Sequence, residues 1–321
     1  MKIIAADWLP YRLPFKHPWQ TARVLLTERN GVLLRLQTAD GLIGWGDAAP
    51  LPEFGISENA ARDFAEECAQ LDLAAQRADV NLATWLSGEP APASVTVNAV
   101  LGSIFSVTPD TIASAVAAGF KILKLKVGVG PVADEIGQLH ALSSALPAGI
   151  RWRLDANAAW SADDAHAFIC ASRQLPIEGL EEPLREPSNQ ALRGLQALAP
   201  FPLAIDESTH LLDQHFWHNP SVQRLVIKPA RCGGLLASMA LALRARHAGL
   251  EVIITSSLES ACGLTACAHL AAAVAPFSTH GLASADWFIH DTGLPPVIAD
   301  GQMFIPQKSG IGFSEISVIS S

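Results

Sequence analysis

The chain has 321 residues, enough for one large domain and a small one, and 50% of them are hydrophobic against 17% charged, which excludes a disordered chain. The formal net charge is −9 and no long Lys/Arg run occurs, so nucleic acid is excluded as a partner. An acidic protein that handles an anionic substrate must concentrate positive charge locally, and the lysines named below are the means to do so.

The first ten residues carry an acid and a proline and no long apolar core, so they do not read as a signal peptide. No stretch approaches about 18 uninterrupted apolar residues, so no membrane span is expected. Cys68, Cys170, Cys232, Cys262 and Cys267 are odd in number and lack Cys-x-x-Cys pairing. They fit free thiols in a reducing cytoplasm, Cys262 and Cys267 as packed thiols rather than nucleophiles.

Residues 1–92 read as an α+β unit. Residues 31–38 form a strand, 39–41 a hairpin turn and 42–46 the return strand. An irregular loop, 49–55, leads to a helix over 57–75 with Ser57 as its N-cap. The Gly/Pro-rich stretch 88–92 is a linker by composition.

From residue 93 the rhythm changes. Short apolar runs recur at 95–100, 122–127, 151–155, 179–182, 203–206, 225–228, 252–255 and 279–282, separated by Ala/Leu-rich helical stretches. Eight strands alternating with helices fit a (β/α) barrel. An open doubly wound sheet is the alternative. It usually carries a glycine-rich turn after its first strand, and none follows here.

Asp155, Glu181 and Asp206 lie near strand ends, 26 and 25 residues apart, about one strand-helix-strand step. Barrels build active sites on that face. Three carboxylates from neighbouring strands, completed by water and substrate, suit Mg²⁺. Taken singly, each would read as a helix cap or a loop ion pair. Lys124 and Lys126 alternate on one strand and so share a side. Two ammonium groups beside a metal repel each other's proton, which lowers both pKa values and lets one act as a base. Lys228 ends its own apolar run, where a cation can stabilise a developing anion; alone it would read as an ion pair. Arg153 shares the side of Asp155, and Asn157 follows it, so either contacts substrate or braces the ligands. The hydroxyls and N–H groups of 255–260, at a loop-to-helix junction, read equally as a carboxylate site and as an ordinary helix cap.

Lys124-Leu125-Lys126, Leu154-Asp155-Ala156-Asn157, Glu181-Glu182-Pro183, Asp206-Glu207-Ser208 and Val226-Ile227-Lys228-Pro229 together resemble the enolase superfamily, in its muconate-lactonising subgroup. Gly44-Trp45-Gly46-Asp47, the 50–54 stretch and the 256–265 stretch resemble its o-succinylbenzoate synthase family. The resemblance implies a (β/α)7β barrel over 93–299 and an N-terminal α+β capping domain over 1–92, completed by a tail from about 300 to 321. It implies that Asp155, Glu181 and Asp206 bind Mg²⁺ (or Mn²⁺), that Lys126 is the acid/base, that Lys124 orients and that Lys228 stabilises an enolate. Arg153, Asn157, Thr255, Gly281 and Phe54 would then line the pocket for a small anionic carboxylate, the Pro50–Gly55 loop would close over the substrate, and a mobile closing loop would sit at 16–23. The implied reaction is a Mg-dependent syn dehydration giving 2-succinylbenzoate, a step toward menaquinone or phylloquinone. Ala158 and Thr255 depart from the pattern, standing where a larger residue and a serine are common.

Muconate cycloisomerase and N-acylamino acid racemase share the two-lysine arrangement and remain rivals. A dipeptide epimerase would carry Asp-x-Asp on the last strand, and 281–286 has no such pair. A mandelate-racemase-type site would need a His-Asp dyad in place of Lys228. A non-catalytic ligand-binding barrel is the rival from another class, disfavoured because uncompensated pocket lysines cost stability.

Overall fold

A computed structural model describes residues 2–20 and 25–316; residues 21–23 of the expected closing loop and 317–321 of the expected tail lie outside the described residues. The chain opens with three antiparallel strands in the order β1 (Ile3–Gln20), β2 (Leu25–Thr38) and β3 (Ile43–Ala48). The turn expected at 39–41 joins β2 to β3. β1 is a strand that the sequence reading does not anticipate, because Pro10, Pro14 and Pro18 interrupt it and proline offers a ladder no N–H. An edge strand tolerates this, and β1 is at the edge of its sheet, with Pro10 opposite Val32 and Pro14 opposite Glu28 on β2 and a single bridge from Phe15 to Phe288 on its other side.

Helix α1 (Glu58–Arg77) covers this sheet. Ser57 caps it, its hydroxyl accepting from the Ala60 N–H at 3.2 Å. The helix packs tightly on β3 because Gly46 carries no side chain: a Cβ there would fall 1.9 Å from the Ala65 carbonyl oxygen. A short helix, α2 (Leu82–Ser87), ends at Gly88 in the left-handed region, where the linker begins.

The barrel follows. Its first strand is split at Asn98 into β4 (Ser94–Val97) and β5 (Ala99–Ser103). β5, β6 (Ile122–Lys126), β7 (Arg151–Asp155), β8 (Ile177–Glu181), β9 (Leu203–Ile205), β10 (Arg224–Ile227) and β11 (Glu251–Ile254) form one parallel sheet in that order. β12 (Thr279–His280) meets β11 through a Thr255–Gly281 bridge and pairs in parallel with β4, which closes the sheet on itself. All eight expected runs carry strands. Between them run α3 (Pro109–Ala117), α4 (Val132–Ser144), α5 (Ala162–Ser172), α6 (Asn189–Leu198), α7 (Gln214–His218), α8 (Leu235–His247) and α9 (Ala261–Val274), giving the seven-helix (β/α)7β barrel among the described residues. The strands read as near-continuous Val/Ile/Leu runs because both faces are covered, one by helices and one by the barrel interior.

Helix α9 is buried on nearly every side and is built from small residues, because it lies between the barrel and the N-terminal unit, against α2 and β3. Cys262 and Cys267 pack inside it, and burial pushes both thiols up. The tail serves both halves of the molecule. β13 (Ile298–Ala299) and β14 (Gln302–Phe304) form a hairpin that adds β14 antiparallel to β4. Further on, the Leu82 N–H donates to Gly310 O at 2.8 Å, the Ile311 N–H donates to Asp72 Oδ1 at 2.8 Å, and Phe313 sets its ring against Trp45. Among the described residues, no helix is long and apolar enough to cross a membrane.

Candidate active site

Strand register puts the expected residues in layers. Lys126 lies opposite Asp155, and Asp155 opposite Glu181; one layer lower, Lys124 lies opposite Arg153, and Arg153 opposite Gly179. Asp206, Lys228, Thr255 and Gly281 each stand one residue beyond the end of β9, β10, β11 and β12. The C-terminal ends of the strands therefore carry the whole set. Asp155, Glu181 and Asp206 are 4%, 1% and 1% exposed, so each must find a cation or hydrogen bonds. The Lys124 ammonium lies 2.9 Å from Asp155 Oδ2 and also bonds Glu181 Oε2. Lys228 bonds Asp206 Oδ2, and Arg231 Nη2 stands 3.0 Å from Asp206 Oδ1.

One cavity opens above this layer. Lys124, Lys126, Asp155, Asn157, Lys228, Thr255, Gly281 and Phe54 all line it. Glu181 and Asp206 are absent from that lining and are held by Lys124 and Lys228. The Thr255 hydroxyl donates to Gly281 O at 2.9 Å, so the two expected pocket residues form one piece of wall.

The two neighbouring lysines respond oppositely, which corrects the expectation that both are lowered. Burial works against charge on Lys124, but Asp155 and Glu181 outweigh it and hold its pKa above the ordinary value. At Lys126, burial lowers the pKa and repulsion from Lys124 and Lys228 adds to it, against the pull of Asp155. Glu207 is pushed up to about 7, by burial and then by Asp206. It accepts from Asn157 Nδ2 at 3.2 Å through one oxygen, while its other oxygen is buried without a hydrogen-bond partner. For Asp206, burial pushes upward, but Lys228 and Arg231 prevail and lower it. Glu182 braces the loop after β9 by accepting from the Asp206 N–H at 2.8 Å and the Ser208 N–H at 3.2 Å. Asn157, Ala158 and Glu182 all have positive φ, at 44°, 60° and 43°, a strained backbone that clusters beside Asp155 and Glu181. The small Ala158 side chain stands within that turn.

Arg153 corrects another expectation. It does not line the cavity: it is fully buried one layer down, donating to both oxygens of Glu178 at 2.9 and 3.1 Å, to Asn98 Oδ1 at 3.1 Å and to Thr279 O at 2.8 Å. Strand alternation fixes the face of a residue but not its depth, and two residues amount to about 6–7 Å along a strand. Of the 255–260 stretch, Thr255, Ser256, Ser257 and Leu258 line the cavity, while its end at the start of α9 is engaged within the protein. The N–H groups of Ser260 and Ala261 are already taken by Asp47 Oδ2 and Asp291 Oδ1, both at 2.8 Å.

Sequence reasoning did not single out Glu207, Arg231, Leu51, Leu258, Ser284 and Trp287 as site residues, although Leu51 and Leu258 lie within the 50–55 and 255–260 stretches that it placed at the site. Glu207 directly follows a ligand candidate and Arg231 lies three residues after Lys228, in the turn where its N–H donates to Lys228 O; both offsets were readable. Leu51, Leu258 and Ser284 lie in loops, and Trp287 ends a single 3-10 turn (Ala285–Trp287), too short to give a periodic signal.

Among the described residues, no group of three metal-ligating side chains converges. Lys124, Lys228 and Arg231 take up the carboxylate oxygens instead. The donor set nevertheless fits a hard divalent cation: three buried carboxylates on successive strands, oxygen ligands only, in surroundings already built to accept positive charge.

Residues 109–315 match the family described as enolase C-terminal domain-like. The o-succinylbenzoate synthase of Yersinia pseudotuberculosis (serotype I, strain IP32953) is 32% identical over 287 residues, 81% of this chain and 84% of that one. The muconate lactonizing enzyme of Pseudomonas fluorescens, solved with muconolactone, superposes with a TM-score of 0.87 at 22% identity, over 98% of this chain and 97% of that one. The dipeptide epimerase of Cytophaga hutchinsonii, solved with Mg and the dipeptide D-Ala-L-Val, superposes with a TM-score of 0.87 at 21% identity, over 99% and 97%. At those identities the two structures share the fold with this chain.

Proposed function

The chain belongs to the enolase superfamily, in its muconate-lactonising subgroup, and we propose that it is an o-succinylbenzoate synthase. The reaction is syn dehydration of 2-succinyl-6-hydroxy-2,4-cyclohexadiene-1-carboxylate to 2-succinylbenzoate, a step toward menaquinone or phylloquinone. The observation that carries this reading is that Lys126, with its lowered pKa, and Lys228 line the same cavity, above buried carboxylates. The likeness over 81% of the chain to a curated synthase supports the choice among reactions.

Members of the superfamily bind Mg²⁺; here Asp155, Glu181 and Asp206 would hold it, or Mn²⁺ in its place, and the ion would supply positive charge to the substrate's ring carboxylate. Lys126, as the neutral amine, takes the proton from the carbon bearing that carboxylate. The electron pair moves onto the carboxylate oxygens, and the Lys228 ammonium offsets the growing negative charge. Lys126, now protonated, gives the proton to the β-hydroxyl on the same face. The C–O bond breaks, water leaves and the ring becomes aromatic, which makes the loss downhill. Lys124 fixes Asp155 and Glu181 in place through its ion pairs. Leu51, Phe54, Leu258 and Trp287 line an apolar wall for the ring.

An absorbance assay with the cyclohexadiene substrate, beside a panel of N-succinyl amino acids in deuterated water, tests the reading. Conversion of the diene that EDTA abolishes and Mg²⁺ restores is the expected result. Racemisation of an N-succinyl amino acid with deuterium at the α-carbon, and no dehydration, would transfer the assignment to N-acylamino acid racemase. The presence of Lys126 and Lys228 on one cavity favours that second reading, and equally a muconate cycloisomerase, over a non-catalytic binder. Neither dehydration nor exchange on any compound would leave a non-catalytic binder and end the proposal.

A further inference from the structure

We propose that Arg29 is a positioning residue that holds two walls of the cavity at a fixed separation and so sets which substrates fit. The inference rests on the reading of that cavity as the active site. Arg29 lies on β2 in the N-terminal unit and is 4% exposed. Its guanidinium donates to three backbone carbonyls: Nη2 to Ala49 O at 2.9 Å, Nη1 to Pro50 O at 2.8 Å and Nε to Leu258 O at 3.1 Å. The first two acceptors lead into Leu51 and Phe54, which line the cavity from the N-terminal side. The third belongs to the loop between β11 and α9, whose Ser256, Ser257 and Leu258 line it from the barrel side. One rigid, planar fork of donors thus spans the two loops, which a flexible single ammonium could not do.

Leu258 is the residue that most needs such a hold. Its φ of +63° lies in the left-handed region, which persists for a non-glycine residue only where the surroundings enforce it. Both its backbone polar groups are engaged, the N–H by Ser256 Oγ at 2.9 Å and the carbonyl by Arg29. Its side chain packs with Leu13, Phe15 and Phe288 while also facing the cavity. The far end of the loop is fixed independently, because Asp47 Oδ2 accepts from the Ser260 N–H at 2.8 Å and from its hydroxyl at 2.9 Å. Arg29 therefore controls the middle of the loop, and with it the distance from Leu258 to Leu51 and Phe54.

The test compares wild type with Arg29→Met and Arg29→Lys by amide hydrogen exchange and by steady-state kinetics. In Arg29→Met, exchange in peptides covering 49–55 and 256–260 should rise by about tenfold or more, with the rest of the barrel unchanged. KM should rise by about tenfold while kcat stays within about threefold, because binding is loosened and the reacting groups are not touched. Arg29→Lys should recover part of the KM loss. Unchanged exchange in either loop overturns the proposal, as does a fall in kcat at constant KM, which would place Arg29 in the chemistry. If Arg29→Met does not fold, Arg29→Lys carries the same readouts; failure of both to fold makes Arg29 a plain stability residue and also overturns it. A wild-type protein inactive on every compound ends the functional reading, while the exchange measurement still decides this one.

Discussion

At the base of the barrel interior, Arg153 and Arg224 grip Glu178 from two sides and Arg224 reaches on to Glu251, its Nε 2.9 Å from Glu251 Oε2. At the mouth, Lys124, Lys126, Lys228 and Arg231 stand among Asp155, Glu181, Asp206 and Glu207. Both layers put ions out of water, yet they end in different electrostatic states. At the base each guanidinium has fixed carboxylate partners, and although burial pushes Glu178 upward, Arg153 and Arg224 prevail and hold it down to about 2. Gly179 makes this possible, since a Cβ there would fall 2.1 Å from Arg224 Nη1. At the mouth the balance is unfinished: Lys126 is lowered and Glu207 is raised to about 7 with one oxygen unpaired. Burial of charge does not mark function by itself. What marks it is charge left incompletely matched, so that groups move toward neutral pKa values.

The comparison breaks most sharply at Lys126. Lys126→Ala should lower kcat by about 10²–10⁴-fold and leave the melting temperature close to wild type. Residual turnover above about 1% would remove Lys126 from the acid/base role.

At the base the effects should be reversed. Glu178→Gln leaves two buried guanidinium groups without their shared anion and should cost roughly 3–5 kcal/mol of stability, read from urea unfolding. The protein that remains folded should keep its kcat. A stable variant with impaired catalysis would show that the base layer takes part in the reaction.

A smaller effect separates the layers by pH. His280 lies in the barrel seam beside the base, its Nδ1 accepting from the Ile254 N–H at 3.0 Å and its Nε2 bonded to Ala275 O at 3.0 Å. Burial, aided by Arg153 and despite the Ala275 bond, lowers its pKa to about 4 from an unfolded value of 6.5. Between those values the unfolded chain binds a proton that the folded chain refuses. The contribution of His280 is thus whole above pH 6.5 and is lost as pH falls to 4, by roughly 3 kcal/mol. The Glu178 contribution is lost in a lower window, from 4.5 down to about 2. Urea unfolding of wild type and His280→Gln at pH 7 and 4.5 should show a shallower pH slope in the variant; equal slopes would remove His280 as the source.

How much of this was legible follows from what each signal encodes. Apolar runs at a steady spacing announced the barrel strands, because strands covered on both faces must be apolar along their length. The carboxylates and Lys126 and Lys228 were legible because strand ends define one face of a barrel. β1 was hidden by Pro10, Pro14 and Pro18, whose cost vanishes only when it is known that the strand lies at an edge. Arg153 was placed on the correct face and at the wrong height, since a period of two says nothing of depth. The pKa of Lys124 was misjudged because its sequence neighbour is a lysine while its spatial partners, Asp155 and Glu181, arrive from other strands. Arg29 and Leu258 meet only through the fold, at a separation no local pattern records.

The split of the first barrel strand at Asn98 also constrains how the protein is made. Thr96 and Val97 pair with Thr279 and His280, and Thr96 pairs again with Gln302, so β4 must wait for partners from the far end of the chain. A nascent chain emerging from the ribosome cannot seal the cylinder until translation has passed Gly281, nor complete the pairing of β4 until it has passed Phe304. Until then it carries an open sheet with an unpaired edge, the kind of species that folds slowly and recruits chaperones.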